Sequence, residues 1–260
     1  MKNLVLRSLS GVIYVALIVG AIVGGLSWST ALFSIFCVVA MLEFQHITMG
    51  PAIKGIDVVT RTLDVVAGLI LVNVVYILDF PEIIMTICIG MAFGYSVLRF
   101  ILALYDKGEH PLADTAWSIL SLSYIAVPLM MLSILCSEQE GWKIVLTMFI
   151  MIWLNDTGAY CVGSLLGKHQ LFARLSPKKS WEGFFGGFAF CLAAGVGAYY
   201  LVGEPFTLVE WLCFGAMTCV LSTWGDLFES LIKRTNHIKD SGHIIPGHGG
   251  ILDRIDSMLF

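Results

Sequence analysis

Eight times before residue 226 the chain runs for about 20 residues with almost no charge: near 9 to 27, 29 to 47, 63 to 80, 83 to 105, 115 to 136, 142 to 163, 183 to 203 and 208 to 225. A helix of about 20 apolar residues matches the hydrocarbon thickness of a bilayer, and a backbone in lipid has to satisfy its own N–H and C=O groups. That restricts the chain to bundled helices. Composition agrees, with 58% hydrophobic residues, 13% charged residues and a mean hydropathy of +0.86. A soluble domain carries about 45–50% apolar residues. A ninth run opens at Ile251, where ten residues remain to Phe260, too few to cross. The expected fold is therefore an all-α polytopic integral membrane protein of about nine transmembrane helices, the last of them truncated.

Lysines and arginines set the orientation, because cytoplasmic loops carry their excess. With a cytoplasmic N-terminus, fourteen of the 15 basic residues fall on that side. Only Lys143 lies outside, among Asp79, Glu82, Glu138, Glu140, Glu204 and Glu210; Lys54 counts with the inner set. The first run follows Lys2 and Arg7 but exceeds the roughly 7–15 residues of a signal-peptide core and has no small-x-small cleavage site. It is read as an uncleaved span. All seven cysteines lie in apolar segments, in neither disulfide nor metal spacing. Gly20 with Gly24, and Gly183 with Gly187, have the small-xxx-small spacing that lets helices approach closely. Glu43 and Arg99 sit in apolar helices near the inner edge; an ionisable group there is a functional candidate by default, but snorkelling to the headgroups accounts for them at least as well, and they are left out of the site. Nothing in the chain points to nucleic acid.

Against this apolar background, one stretch crowds charges and glycines together: SLIKRTNHIKDSGHIIPGHGGILDRID, from Ser230 to Asp256. Gly242, Gly247, Gly249 and Gly250 let backbone approach a ligand closely. Lys233, Arg234, Lys239, His243 and His248 suit phosphate oxygens, while Asp240, Asp253 and Asp256 are hard oxygen ligands of the kind Mg²⁺ takes. Just upstream, Asp226, Glu229, Ser230 and Lys233 fall at helical offsets of three, four and seven and line one face. Asp226 lies at the expected C-terminal end of a span, where the helix dipole disfavours a carboxylate and a bound cation would offset it. A solvated loop obeying the positive-inside rule is the plainer reading of the same charges.

Two further segments carry polar chemistry. In NDTGAYCVGSLLGK, Asp156 and Tyr160 share a helix face with Gly163 and Gly167. In LSPKKSWEG, Pro177 breaks the helix, Lys178 and Lys179 suit a nucleotide or lipid phosphate, Ser180 is a candidate N-cap and Glu182 is favoured in the first turn. Alone, the lysine pair would be a juxtamembrane basic patch.

Together these segments closely resemble the phosphatidate cytidylyltransferase (CDP-diacylglycerol synthase) family. The matching residues are Ser230, Lys233, Arg234, Lys239, Asp240, His248, Gly249, Gly250, Asp253, Arg254 and Asp256 in the long motif. Upstream they are Asp156, Thr157, Gly158, Ala159, Tyr160, Gly163, Gly167 and Lys168, and then Ser176, Pro177, Lys178, Lys179, Ser180, Glu182 and Gly183. The resemblance is specific over about the last 110 residues and rests on hydrophobic pattern before them. It implies transfer of a cytidylyl group from CTP to phosphatidate, giving CDP-diacylglycerol and pyrophosphate. Asp226, Lys233, Arg234, Lys239, Asp240, His248, Asp253 and Arg254 would form the catalytic set. Asp156, Tyr160, Ser176, Lys178, Lys179, Ser180, Glu182, Glu229, Ser230, Gly249 and Gly250 would bind substrate. Asp226, Asp253 and Asp256 would hold metal, with Mg²⁺ first and a second ion of open identity.

On the same basis, residues 1–140 form a scaffold of helices and the expected place of dimer contacts, and 141–260 a catalytic region with cytoplasmic loops 164–182 and 226–250. The family expectation is a homodimer in a bacterial inner membrane, with the site facing the cytoplasm, where CTP meets lipid. A relative acting on another lipid phosphate, an isoprenoid ether lipid or polyprenyl phosphate, is the alternative reading, because acyl-chain selectivity resides in apolar surfaces that carry little sequence signal. A transporter, which needs mid-membrane charges and preferably two related halves, is the less favoured alternative, since the charged groups cluster at the rim and no repeat is seen. The string Asp-Gly-x-x-Ala-Arg of a CDP-alcohol phosphotransferase is absent as well. A chain ending at Phe260 is expected to be weakly active or to need a partner helix. Extending its C-terminus through a full span should then raise activity or melting temperature in parallel assays, and no gain in either would dismiss the truncated-helix reading.

Overall fold

Each long apolar run closes its backbone hydrogen bonds on itself as a helix, the only open-chain solution that lipid tolerates. The computed structural model describes residues 2–50, 56–77, 81–242, 244 and 249–260. Its helices are α1 (Lys2–Val23), α2 (Leu26–Met49), α3 (Ile56–Val72), α4 (Val74–Ile77), α5 (Pro81–Tyr105), α6 (Pro111–Ser121), α7 (Val127–Ser137), α8 (Gly141–Leu166), α9 (Trp181–Leu201), α10 (Leu208–Thr235) and the short α11 (Leu252–Ile255). Among the described residues five helical segments are long and apolar enough to cross a membrane: α2, α6 continued through α7, α8, α9 and α10. Shorter apolar helices cover Ser10–Val23 and Ile89–Tyr105. The chain is a helical integral membrane protein. Lys54, Asp79 and the end of the run expected at 63–80 lie outside the described residues.

Between α6 and α7 the helix widens into a π-turn, Leu122–Ala126, where the Val127 amide reaches back to the Leu122 carbonyl. Pro128 supplies the reason. It has no N–H to offer the preceding turn, and a π-turn absorbs the missing bond without ending the helix.

The chain forms two compact units, one of residues 1–139 with 240–254, the other of 140–239 with 255–260. In the second unit α8, α9 and α10 pack on one another, with Met151, Cys191, Cys219 and Trp211 fully buried between them. Small residues permit the closeness: a Cβ on Gly183 would lie 2.9 Å from the Ala159 carbonyl oxygen, and one on Gly158 would lie 2.8 Å from the Phe190 ring. Gly20 differs, having nothing within 4 Å of its Cβ position among the described residues. The 164–182 segment folds as an antiparallel hairpin, β1 (Gln170–Phe172) with β2 (Ser176–Ser180). At its end Ser180 caps α9, its hydroxyl accepting from the Gly183 amide at 3.1 Å. Thr207 and Glu210 form a reciprocal capping box that starts α10.

Two expectations change here. The helix carrying Asp226 continues to Thr235, because Leu227, Leu231 and Ile232 keep an apolar stripe past the end of the charge-free run. Asp226 is thus in the interior of α10 and faces no helix-terminal dipole. The residues after Ile251 form α11 and a 3-10 turn, Asp256–Met258, with Leu252, Ile255, Met258 and Leu259 buried.

In the first unit α2 packs on α1, α3, α6 and α7, burying Phe33, Cys37, Ala40, Met41 and Phe44. Here Arg99 departs from the snorkelling reading. It is 4% exposed, and its partner Asp64 from α3 is fully buried. Arg99 Nε lies 3.5 Å from Asp64 Oδ1, and Nη2 donates to Ser118 Oγ at 2.5 Å. Asp64 Oδ2 accepts from Ser118 Oγ at 2.7 Å and Gln45 Nε2 at 3.1 Å, while Tyr95 donates its hydroxyl to Oδ1. The sequence showed the cation but not an acid 35 positions earlier on another helix as its partner. Removing one member of a buried, hydrogen-bonded pair leaves the other charge uncompensated. Asp64→Ala should cost about 3–5 kcal/mol of stability, seen as a lower melting temperature in detergent, and Asp64→Asn should cost less.

Candidate functional site

The face of α10 predicted to be polar is polar in the structure. Ser230 Oγ lies 3.5 Å from Asp226 Oδ1, and Lys233 pairs with Glu229 one turn away. The 3-10 turn of the same unit then adds a third carboxylate. Asp226, Glu229 and Asp256 each present an oxygen within 4.8 Å of the other two. Gly225 makes this possible, since the backbone oxygen of Asp256 lies 2.7 Å from where a Cβ on Gly225 would stand. Glu229 is fully buried, Asp256 is 8% exposed and Asp226 is half-buried. Burial, and after it the charge of Asp226, pushes the Asp256 carboxyl up to about 7. Lys179 reaches Asp226 Oδ2 at 2.5 Å. Among the described residues two lysines face three carboxylates, an excess of one negative charge when all are ionised, and clustered carboxylate oxygens are ligands for a hard divalent cation.

Beside this group lies a cavity of about 400 Å³. Helix α8 contributes Asn155, Asp156, Tyr160 and Gly163, the hairpin contributes Lys178, Lys179 and Ser180, and Phe184 and Thr223 close it. The hairpin is fastened by Glu182, whose Oε2 accepts from the amides of Lys168 at 3.1 Å and His169 at 3.2 Å, while Oε1 meets His169 Nδ1 at 2.6 Å. Glu182 thus holds the loop that carries the lysines. Asn155 lies beneath, donating to Ser222 Oγ at 3.1 Å. A pocket with cationic walls and apolar panels can take a phosphorylated ligand that also has a flat apolar part.

The remaining sequence-predicted residues are distributed as follows. Ser176 is half-buried on β2. Arg234 Nη1 donates to the Ile238 carbonyl at 3.0 Å, closing the end of α10, and Lys239 and Asp240 are exposed. His243, Gly247 and His248 lie outside the described residues. Gly249, Gly250, Asp253 and Arg254 belong to the first unit. There Asp253 Oδ2 accepts from the Ser241 amide, the Ser241 hydroxyl and the Gly250 amide, each at 2.9 Å. The Arg254 carbonyl accepts from Tyr14 at 2.8 Å. Sequence reasoning left out Glu43, which binds this same segment. It also did not count Glu229 among the clustered carboxylates, although its offset of three from Asp226 held the signal.

A family model described as a cytidylyltransferase family matches residues 5–260. The chain belongs to the cytidylyltransferase family. Relatives named phosphatidate cytidylyltransferase include that of Staphylococcus aureus (strain COL), 38% identical over 173 residues, 65% of this chain and 64% of the relative. That of Staphylococcus saprophyticus is 40% identical over 169 residues, 63% of each chain, and that of Staphylococcus epidermidis is 39% identical over 173 residues. The matched part thus spans a little under two thirds of the first two relatives' length. Within this cytidylyltransferase fold, the clustered carboxylates and the lysine-lined cavity lie on α8, α9, α10, the hairpin and the closing 3-10 turn. Titrating purified protein with a divalent cation should raise its melting temperature. Asp226→Asn, Asp256→Asn and Gly225→Ala should each weaken that response about 10- to 100-fold.

Proposed function

We propose that this protein transfers the cytidylyl group of CTP to phosphatidate, releasing pyrophosphate and leaving CDP-diacylglycerol in the membrane. The observation that carries the reading is the carboxylate group Asp226, Glu229 and Asp256 beside a cavity rimmed by Lys178 and Lys179, in a chain of the cytidylyltransferase family. The names of its relatives support the choice of lipid.

A phosphate oxygen of the lipid forms a bond to the α-phosphorus of CTP as the bond to the β-phosphate oxygen breaks, and the pyrophosphate departs with that electron pair. The nucleophile is already anionic near neutral pH, so the protein's task is to bring two polyanions together rather than to remove a proton. A divalent metal such as Mg²⁺, when bound, would supply charge neutralisation for the two polyanions. Asp226 and Asp256 would hold it, with Glu229 and Asp156 behind them. Lys178, Lys179 and Ser180 receive the triphosphate, and Tyr160 and Phe184 offer the apolar wall for the base. Lys233, Arg234, Lys239, Asp240, His248 and Arg254 belong to the reactive set by the family motif, as do Asp253, Ser176, Ser230 and the Gly249-Gly250 pair.

The same reading takes residues 1–140 as scaffold and 141–260 as the catalytic region. It sets about nine helices in a bacterial inner membrane as a homodimer, with the N-terminus and the site on the cytoplasmic side, where CTP is made. Acyl chains then stay in lipid while the headgroup reacts at the surface. Purified protein given radiolabelled CTP, phosphatidate and Mg²⁺ should place label in lipid. Asp226→Asn and Asp256→Asn should reduce turnover about 100-fold or more. Absence of incorporation by folded wild-type protein would overturn the proposal.

A further inference from the structure

Glu43 is a buried carboxylate that the reactive set does not use. It lies on α2 and is 7% exposed. Its Oε1 accepts from the Ile251 amide at 3.1 Å, and Oε2 accepts from the Leu252 amide at 2.8 Å and the Ser241 hydroxyl at 3.3 Å. These donors lie 198 to 209 residues away in sequence, all in the segment that carries Asp253. The two amides begin α11, so the carboxylate holds its entry. Gly242 and Gly250 close over Glu43: a Cβ on either would stand 2.5 Å from Oε1. Only residues without side chains let the loop backbone come so near. A group snorkelling to headgroups would be exposed and would not take up three donors from one loop.

The same loop uses Asp253 as a second internal acceptor. Ser241 Oγ lies within hydrogen-bond distance of both Glu43 Oε2 and Asp253 Oδ2, and it accepts from the Asp253 amide at 3.3 Å. Gly249 has φ 85, and a Cβ there would stand 2.5 Å from Asp253 Oδ2. Glu43, Ser241 and Asp253 therefore form one chain of contacts, and its end on α2 is set by helix packing rather than by the loop. Three residues past Asp253 the chain supplies Asp256 to the carboxylate group.

We propose that Glu43 is a positioning residue for the reactive segment. It clamps Ser241 and the start of α11 through the Ser241 hydroxyl and the Ile251 and Leu252 amides, fixing the Asp253 rotamer and the backbone that continues into Asp256. This rests on the transferase reading for the importance of Asp253 and Asp256, so the test includes readouts that need no turnover.

Glu43→Gln and Glu43→Asp in the full chain are compared with wild type by hydrogen exchange, Mn²⁺ binding followed by electron paramagnetic resonance, and steady-state kinetics. In both variants, amide exchange at Ile251 and Leu252 should quicken about tenfold or more while α2, α3 and α6 keep their protection. Mn²⁺ affinity should fall about tenfold. The kcat should fall about 100-fold, with KM for CTP unchanged within about twofold. If Glu43→Gln does not accumulate folded, Glu43→Asp carries the same test, because it keeps the charge and withdraws it by one methylene. Unchanged exchange at Ile251 and Leu252, unchanged Mn²⁺ affinity, or exchange that quickens throughout α2 with a falling melting temperature would each overturn the positioning role. Failure of wild type to incorporate CTP would instead strike the transferase reading, leaving exchange and Mn²⁺ binding to judge Glu43.

Discussion

A carboxylate removed from water needs donors or a cation, and among the described residues this chain buries four: Glu43, Asp64, Glu229 and Asp256. The structure answers them in two ways. Asp64 is met by a guanidinium, two hydroxyls and an amide from three other helices, and Glu43 by backbone amides and a serine. Both sets of donors come from packing. Glu229 and Asp256 are instead brought against a third carboxylate, Asp226, and the lysines that reach the group number fewer than its acids. The first pair fixes helices and a loop. The second concentrates negative charge beside a cavity lined by Lys178 and Lys179.

The membrane character and most helix positions were legible in the sequence because hydropathy over about 20 residues is a local signal. So were the polar face of α10 and the Ser180 cap, which follow from offsets of a few residues; Pro177 instead lies within β2, eleven residues past the end of α8. Distant partners were not legible. Arg99 looked like an edge residue because Asp64 lies on another helix, and Glu43 looked like a headgroup contact because its donors are some 200 positions later. Asp226 was misjudged for a different reason. Charge density ended the apolar run at Gly225, while buried Leu227 and Ile232 carried the helix on for ten more residues. Offsets found the carboxylates on α10 and the family resemblance named Asp256 with Asp226; the fold adds Glu229 to that group and places Asp253 in the other unit.

Small residues do related work at several depths. Gly183 lets α9 approach α8, Gly225 lets the closing 3-10 turn lie on α10, and Gly250 lets a loop close on Glu43. Each contact is backbone against backbone or against a carboxylate, so a single added methyl group would displace a rigid element. In a fold whose polar groups depend on such close approach, packing and the geometry of the reactive groups are the same problem.

The clamp on α2 also has a consequence for how the protein is made. Glu43 leaves the ribosome about 200 residues ahead of Ser241, Ile251 and Leu252. Until that tail emerges, α2 must enter the membrane with its acid answered by water or lipid headgroups. The first compact unit therefore cannot finish folding in the order of synthesis. Its later stretch, residues 240–254, arrives only after residues 140–239 of the second unit have been translated, so the helix that carries Glu43 waits through that synthesis for its donors.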